Sequence, residues 1–157
     1  MLKSVVIAAG LLLSSQVQAQ DTSVSVTAGE RISRIGGCHD CHSPGFAETG
    51  GTIDPATALT GNPVGYQGPW GTTYAANLRL IAADYDEDEW VDYLKTLEAR
   101  PPMPWFNVHY FSEAEMRSLH QYILSLGNPG NPAPPYVPPG TDPTTPYLVF
   151  APPNMPG

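Results

Sequence analysis

Apolar residues recur at helical spacing in three stretches, and between them no period holds. The first runs from Thr27 to Gly36, where Thr27 and Glu30 have capping-box spacing and Ile32 and Ile35 make an apolar step. It predicts a helix of about three turns. The second runs from about Glu87 to Glu98, with Asp86 as its cap and Trp90, Val91, Leu94 and Leu97 on one face. The third opens on Ser112 and Glu115, again a capping box, carries Met116, Leu119, His120, Ile123 and Leu124, and stops at Gly127. It is expected to cross the first helix near Gly36 and Gly37, with Tyr122 or Ile123 at the crossing. Residues 43–73 are dense in Gly, Pro, Thr and Asn and read as loop. Beyond Gly127 the chain is a proline-rich tail, 128–157, that cannot hold a stable helix. Tyr136, Val137, Tyr147, Leu148, Val149 and Phe150 would let it lie extended against the globule; a loose polyproline-like tail is the alternative.

The start of the chain has a different pattern. Lys3, an uncharged apolar run from Val5 to Leu13, and small and polar residues ending Val17-Gln18-Ala19 make the signature of a secretory signal peptide over residues 1–19. The apolar run is too short to be a permanent membrane span, and no second one follows, so no transmembrane anchor is expected after cleavage. The expected location is periplasmic, or otherwise exported, for a single domain over 20–127 followed by the tail. Of the 7 Lys and Arg, removing Lys3 leaves 6, against 15 Asp and Glu. Such a balance disfavours nucleic acid and anionic lipid and favours a partner with a basic docking face.

The candidate chemistry lies in Cys38-His39-Asp40-Cys41-His42. Thiols three residues apart on a helical turn share a side and can both reach the vinyl groups along one porphyrin edge. His42, directly after the second thiol, can turn its imidazole under the iron as proximal ligand. This CxxCH run therefore reads as an attachment site for one covalent haem c. A zinc site would have to borrow two of His42, His109 and His120 without a recognisable finger spacing. A thioredoxin-like thiol pair would want a strand before it, and a disulfide across so short a loop would be strained. Export adds to the haem reading, because c-type haem is attached after translocation. A bound haem would also supply the apolar surface that the 43–73 loop lacks, with Phe46, Tyr66, Trp70 and Tyr74 as candidates to pack on it.

A second axial ligand is sought among soft or imidazole donors. Met103 stands in Arg100-Pro101-Pro102-Met103-Pro104-Trp105, where prolines on both sides forbid helix and stiffen the loop. It is the first choice, with His109 or an open position as alternatives. Met116 and His120 read as core residues of the last helix, Met155 belongs to the tail, and His39 reads as a surface residue of the haem turn. The carboxylates Asp84, Asp86, Glu87, Asp88, Glu89 and Asp92 suit a helix N-terminus, or a docking patch for a basic partner.

Helix, CxxCH, long loop, helix, methionine loop and C-terminal helix in that order resemble the class I c-type cytochromes over about residues 26–127. The resemblance implies a small all-α cytochrome c fold, its terminal helices crossing, with haem iron between His42 and Met103. Gly68-Pro69-Trp70-Gly71-Thr72-Thr73-Tyr74-Ala75-Ala76-Asn77-Leu78 and Met103-Pro104-Trp105 are similar to segments of cytochrome subunits of bacterial periplasmic dehydrogenases. Those subunits often carry several CxxCH motifs and an anchor, whereas this chain has one motif, and Arg79 to Asp84 replace their Thr-Pro-Asp turn. The implied function is transfer of one electron at a time between redox partner proteins, with no catalytic residues. Its alternatives are a haem-based sensor or enzyme with an open distal site, or a tightly bound electron-transfer subunit of a dehydrogenase.

Overall fold

The structure, a computed structural model, describes residues 23–151 and 153. The leader 1–19 and Met155 lie outside the described residues. Its elements are α1 (Val26–Ile35), α2 (Cys38–His42), β1 (Gly65–Gly68), β2 (Gly71–Tyr74), α3 (Leu78–Ala83), α4 (Glu87–Lys95), α5 (Trp105–Val108), α6 (Glu113–Ser125) and β3 (Tyr147–Val149).

The mostly helical fold follows the expected plan, and α1 packs across α6. On the α6 side the crossing involves Tyr122, as expected, but on the α1 side it lies away from Gly36 and Gly37. It is at Gly29, where a Cβ would stand 1.9 Å from the carbonyl oxygen of Ser118 and 2.6 Å from the Cβ of Tyr122. Only a residue without a side chain allows this approach. Gly36 and Gly37 instead end α1 and start α2: Gly37 has φ +71°, and a side chain on Gly36 would meet the ring of Phe111 at 2.8 Å. The cap of α1 is also two residues earlier than read, at Ser25 rather than Thr27, and its hydroxyl accepts from Ala28 N–H at 3.2 Å. Ser25 N–H in turn donates to Ser118 Oγ, so cap and crossing share a partner.

The capping box at Ser112 forms as read, and Asp86, read as a cap, forms a capping box with Glu89. Glu87 to Lys95 then carries Trp90, Val91 and Leu94 into a core with Ile32, Leu59, Met116, Leu119, Tyr122 and Ile123. Burying such side chains stabilises by roughly 1.5–3 kcal/mol each. Trp90 loses no hydrogen bond in the core, because its Nε1–H donates to Met116 O at 3.0 Å. His120 stacks on Trp90 and bonds Ala82 O through Nε2 at 3.0 Å, as befits a core histidine. Asp86, Glu87 and Asp88 are largely occupied by capping α4 and pairing with Gln121 and Arg117, which is the plainer of the two readings of the acidic cluster.

Two segments read as irregular carry regular structure. The end of the 43–73 loop folds into the antiparallel hairpin β1–β2, with Gly65 opposite Tyr74 and Gly68 opposite Gly71. The tail returns to lay β3 parallel to β1, Tyr66 opposite Leu148, giving sheet order β2-β1-β3. Of its two readings the extended, packed one holds. Such short strands show no alternation in sequence, and their partners lie some 80 residues apart, so the pairing is not a local signal. A further helix, α3, arises where the dehydrogenase-like turn is replaced: Asn77 caps it, its side chain accepting from Arg79 and Leu80 N–H.

Candidate functional site

A cleft of about 340 Å³ opens between these elements, within the roughly 300–1,000 Å³ of small-molecule and cofactor sites. Cys38, Cys41 and His42 line it from α2, Tyr66 and Thr73 to Ala76 from the hairpin and the strand that leaves it, and Leu97 to Met103 from the loop after α4. Its walls are mainly apolar, with Trp90, Tyr93, Leu94, Phe111 and Leu119 behind them.

The four residues singled out in the sequence, Cys38, Cys41, His42 and Met103, thus come together on one cleft. The competitors do not line it. His109 bonds Leu97 O through Nε2 at 2.9 Å and rests on Trp105, while Met116 and His120 are buried in the core. Of the four aromatics proposed to pack there, Tyr66 and Tyr74 line the cleft. Phe46 instead covers His39, centroids 5.2 Å apart, and Trp70 packs against Phe150 outside it. Trp90, Tyr93 and Phe111 were missed because their spacing in sequence is that of ordinary core residues.

His42 is held by its other ring nitrogen. Nδ1–H donates to the carbonyl of Ala76 at 2.7 Å, which fixes the tautomer and leaves Nε2 with its lone pair free. Burial pushes the imidazole pKa down, more than the Ala76 bond raises it, so the ring stays neutral. A metal ligand needs that state. Burial likewise pushes the Cys38 thiol up to about 11. A thiol so poorly ionised is a weak nucleophile and does not suit a thioredoxin-like pair. Among the described residues no group of three or more His, Cys, Asp or Glu is arranged to hold a metal ion.

His39 corrects the sequence reading: it is fully buried, not a surface residue. Ser33 Oγ donates to Glu30 O at 2.7 Å and has no second proton, so it must accept from His39 Nε2–H at 3.0 Å. His39 Nδ1 then accepts from Ser43 Oγ–H at 2.7 Å, and Ser43 Oγ accepts from Leu59 N–H at 2.8 Å. This chain ties α1, α2 and the loop at 59 together with every proton assigned. Leu59, buried with φ +58°, sits in the left-handed region that costs a side-chain-bearing residue about 1–2 kcal/mol. Its N–H on Ser43 and its carbonyl, accepting from Leu78 N–H at 3.0 Å, hold it there. His42 O accepts from Gly61 N–H at 2.9 Å in the same layer.

One polar atom in the cleft wall lacks a partner. Thr73 Oγ1 is buried without a hydrogen bond, a state that costs about 1–3 kcal/mol unless a ligand satisfies it. An apolar planar group with carboxylate edges fits such walls. Two thiols one turn apart, a neutral imidazole with Nε2 free and a thioether on the same cleft fit a haem in particular.

No helix among the described residues is long and apolar enough to cross a membrane. Comparison with curated proteins and with solved structures gives no match. The family profile described as cytochrome c matches residues 26–127, from the first residue of α1 to the glycine that ends α6. With that span containing both crossing helices, the CxxCH turn and the methionine loop, the chain belongs to the cytochrome c family, whose cofactor is a covalently attached haem c with its iron.

Proposed function

We propose that the protein is a periplasmic carrier of single electrons, its haem iron held between His42 Nε2 and the Met103 thioether. The observation that carries this reading is the shared cleft: an imidazole whose Nδ1–H is spent on Ala76 O, and a methionine on a proline-flanked loop, both lining it. Bound there, the iron supplies reversible one-electron chemistry, and a thioether opposite an imidazole raises its reduction potential relative to two nitrogen ligands. The residues do the rest. Cys38 and Cys41 retain the group covalently, Ala76 orients His42, and the aromatic walls keep water away. Redox proteins are the partners, and the acidic excess, 6 Lys and Arg against 15 Asp and Glu once Lys3 is cleaved with the leader, favours one with a basic face. The segment similar to dehydrogenase cytochrome subunits is what favours the second reading, a tightly bound electron-transfer subunit of a dehydrogenase, and co-purification with a partner would separate that from a free carrier.

The test is the absorption spectrum of the purified holoprotein, oxidised and reduced, including the near-infrared and a trial with carbon monoxide. A thioether-to-iron charge-transfer band that disappears in Met103→Ala, with a reduced wild type that is low-spin and binds carbon monoxide far more slowly than Met103→Ala, is the expected result. A high-spin spectrum that shifts with carbon monoxide would overturn the closed His/Met reading in favour of an open distal site.

A further inference from the structure

The proline-rich tail is not an appendage of the fold; it touches the hairpin, the start of α3 and the loop after α4, three of the segments around the cleft. At its start, Arg79 Nη1 donates to the carbonyls of Leu126 and Asn128, and Asn77 Nδ2 to those of Pro129 and Asn131. Asn77 directly follows Ala76, whose carbonyl holds His42. Further on, Val137 and Thr72 exchange two backbone hydrogen bonds of 2.8 and 3.0 Å, and Tyr136 Oη donates to Trp70 O at 2.8 Å.

Tyr136 also reaches the methionine loop. The guanidinium carbon of Arg100 lies 4.0 Å from the centroid of its ring. Arg100 precedes Met103 by three residues, lines the same cleft, and its carbonyl accepts from Met103 N–H at 3.3 Å. Among the described residues, 98–103 make no hydrogen bond or ion pair with any other segment, and Arg100 has no carboxylate partner. Among the described residues, their one polar or cation–π tie to a distant part of the chain is this stack. A planar guanidinium over a ring face is attracted by the ring quadrupole, and the Tyr136 hydroxyl, fixed on Trp70 O, holds the ring in place.

We propose that Tyr136 is a positioning residue for the distal side of the haem: through Arg100 it confines the loop that carries Met103, and so slows loss of that ligand. A ligand that dissociates returns in proportion to its local concentration, and a pinned loop keeps that concentration high. The proposal rests on the reading of Met103 as ligand, and its test separates the two.

The experiment is stopped-flow carbon monoxide binding to the full-length ferrous holoprotein, in wild type, Tyr136→Ala, Tyr136→Phe, Arg100→Ala, the Tyr136→Ala/Arg100→Ala double variant and Met103→Ala. Tyr136→Ala and Arg100→Ala should each raise the observed rate about two- to fivefold, the double variant no further than either alone. Tyr136→Phe, which keeps the ring but loses its bond to Trp70 O, should fall between the wild type and Tyr136→Ala. A rate in Tyr136→Ala equal to the wild type, with Met103→Ala fast, overturns the role of Tyr136 and leaves the distal ligand standing. A wild type already as fast as Met103→Ala overturns both. Tyr136 is exposed, so its truncation leaves the core intact, and a purely structural contact would shift thermal stability without moving the rate.

Discussion

The two sides of the cleft are held in opposite ways. On the His42 side the ties are buried and polar, each with an assigned proton: Ala76 O to His42, and the run from Leu59 through Ser43, His39 and Ser33 to Glu30. On the Met103 side, residues 98–103 depend on their prolines and on an exposed stack of Arg100 on Tyr136. A buried bond is enforced by the cost of leaving its groups unsatisfied, whereas an exposed one competes with water at every moment. The difference teaches that the side carrying the CxxCH turn is fixed by buried bonds, whereas the methionine loop is held by its own stiffness and one surface stack.

Breaking the buried side should have the largest effect. Ser43→Ala removes the partner of both Leu59 N–H and His39 Nδ1, and should cost about 2–4 kcal/mol of unfolding free energy, from two buried groups left unsatisfied. Chemical denaturation of the holoprotein measures it, and a cost below that of an ordinary surface substitution would break the contrast.

Acid provides the next largest effect. Burial, with Arg34 adding to it, lowers the His39 pKa from 6.5 to about 4, so between those values the unfolded chain binds the proton and the folded one does not. Stability is then complete above pH 6.5 and falls as the pH drops towards 4, by roughly 2–3 kcal/mol for a shift of this size. Denaturation midpoints across that window, compared with His39→Phe, should show the slope in the wild type and lose it in the variant.

The smallest effect is expected on the other side. His109→Ala removes only the exposed bond to Leu97 O, and should move stability by no more than about 0.5 kcal/mol while leaving the low-spin spectrum unchanged. A spectrum that turned high-spin would make His109 the sixth ligand and invert the assignment of the distal side.

Much of this was legible in the chain because its signals are local. Asp86 as a cap and Ser112 with Glu115 as a capping box are local signals, and both form, whereas the Thr27–Glu30 spacing gives way to Ser25, whose N–H donates to Ser118. The CxxCH spacing puts two thiols and an imidazole on one turn regardless of surroundings, and prolines flanking Met103 exclude helix from their own covalent geometry. What was misread depends on distant partners. His39, polar and beside a cysteine, looks like a surface residue until α1 and the 59 loop close over it. Gly29 has the composition of any helical glycine, and its reason is the Ser118 carbonyl of a helix nearly ninety residues later.

By itself, then, the sequence determined the three longer helices, the caps of α4 and α6, the attachment chemistry and the acidic charge, all of which follow from neighbours within a turn or from totals. Only the tertiary structure decided which glycine carries the crossing, that His39 is buried, that Ala76 turns His42, and that the tail returns as a third strand beside the hairpin. These are pairings between groups far apart in the chain, and their free energy exists only once packing has brought the partners together and excluded water.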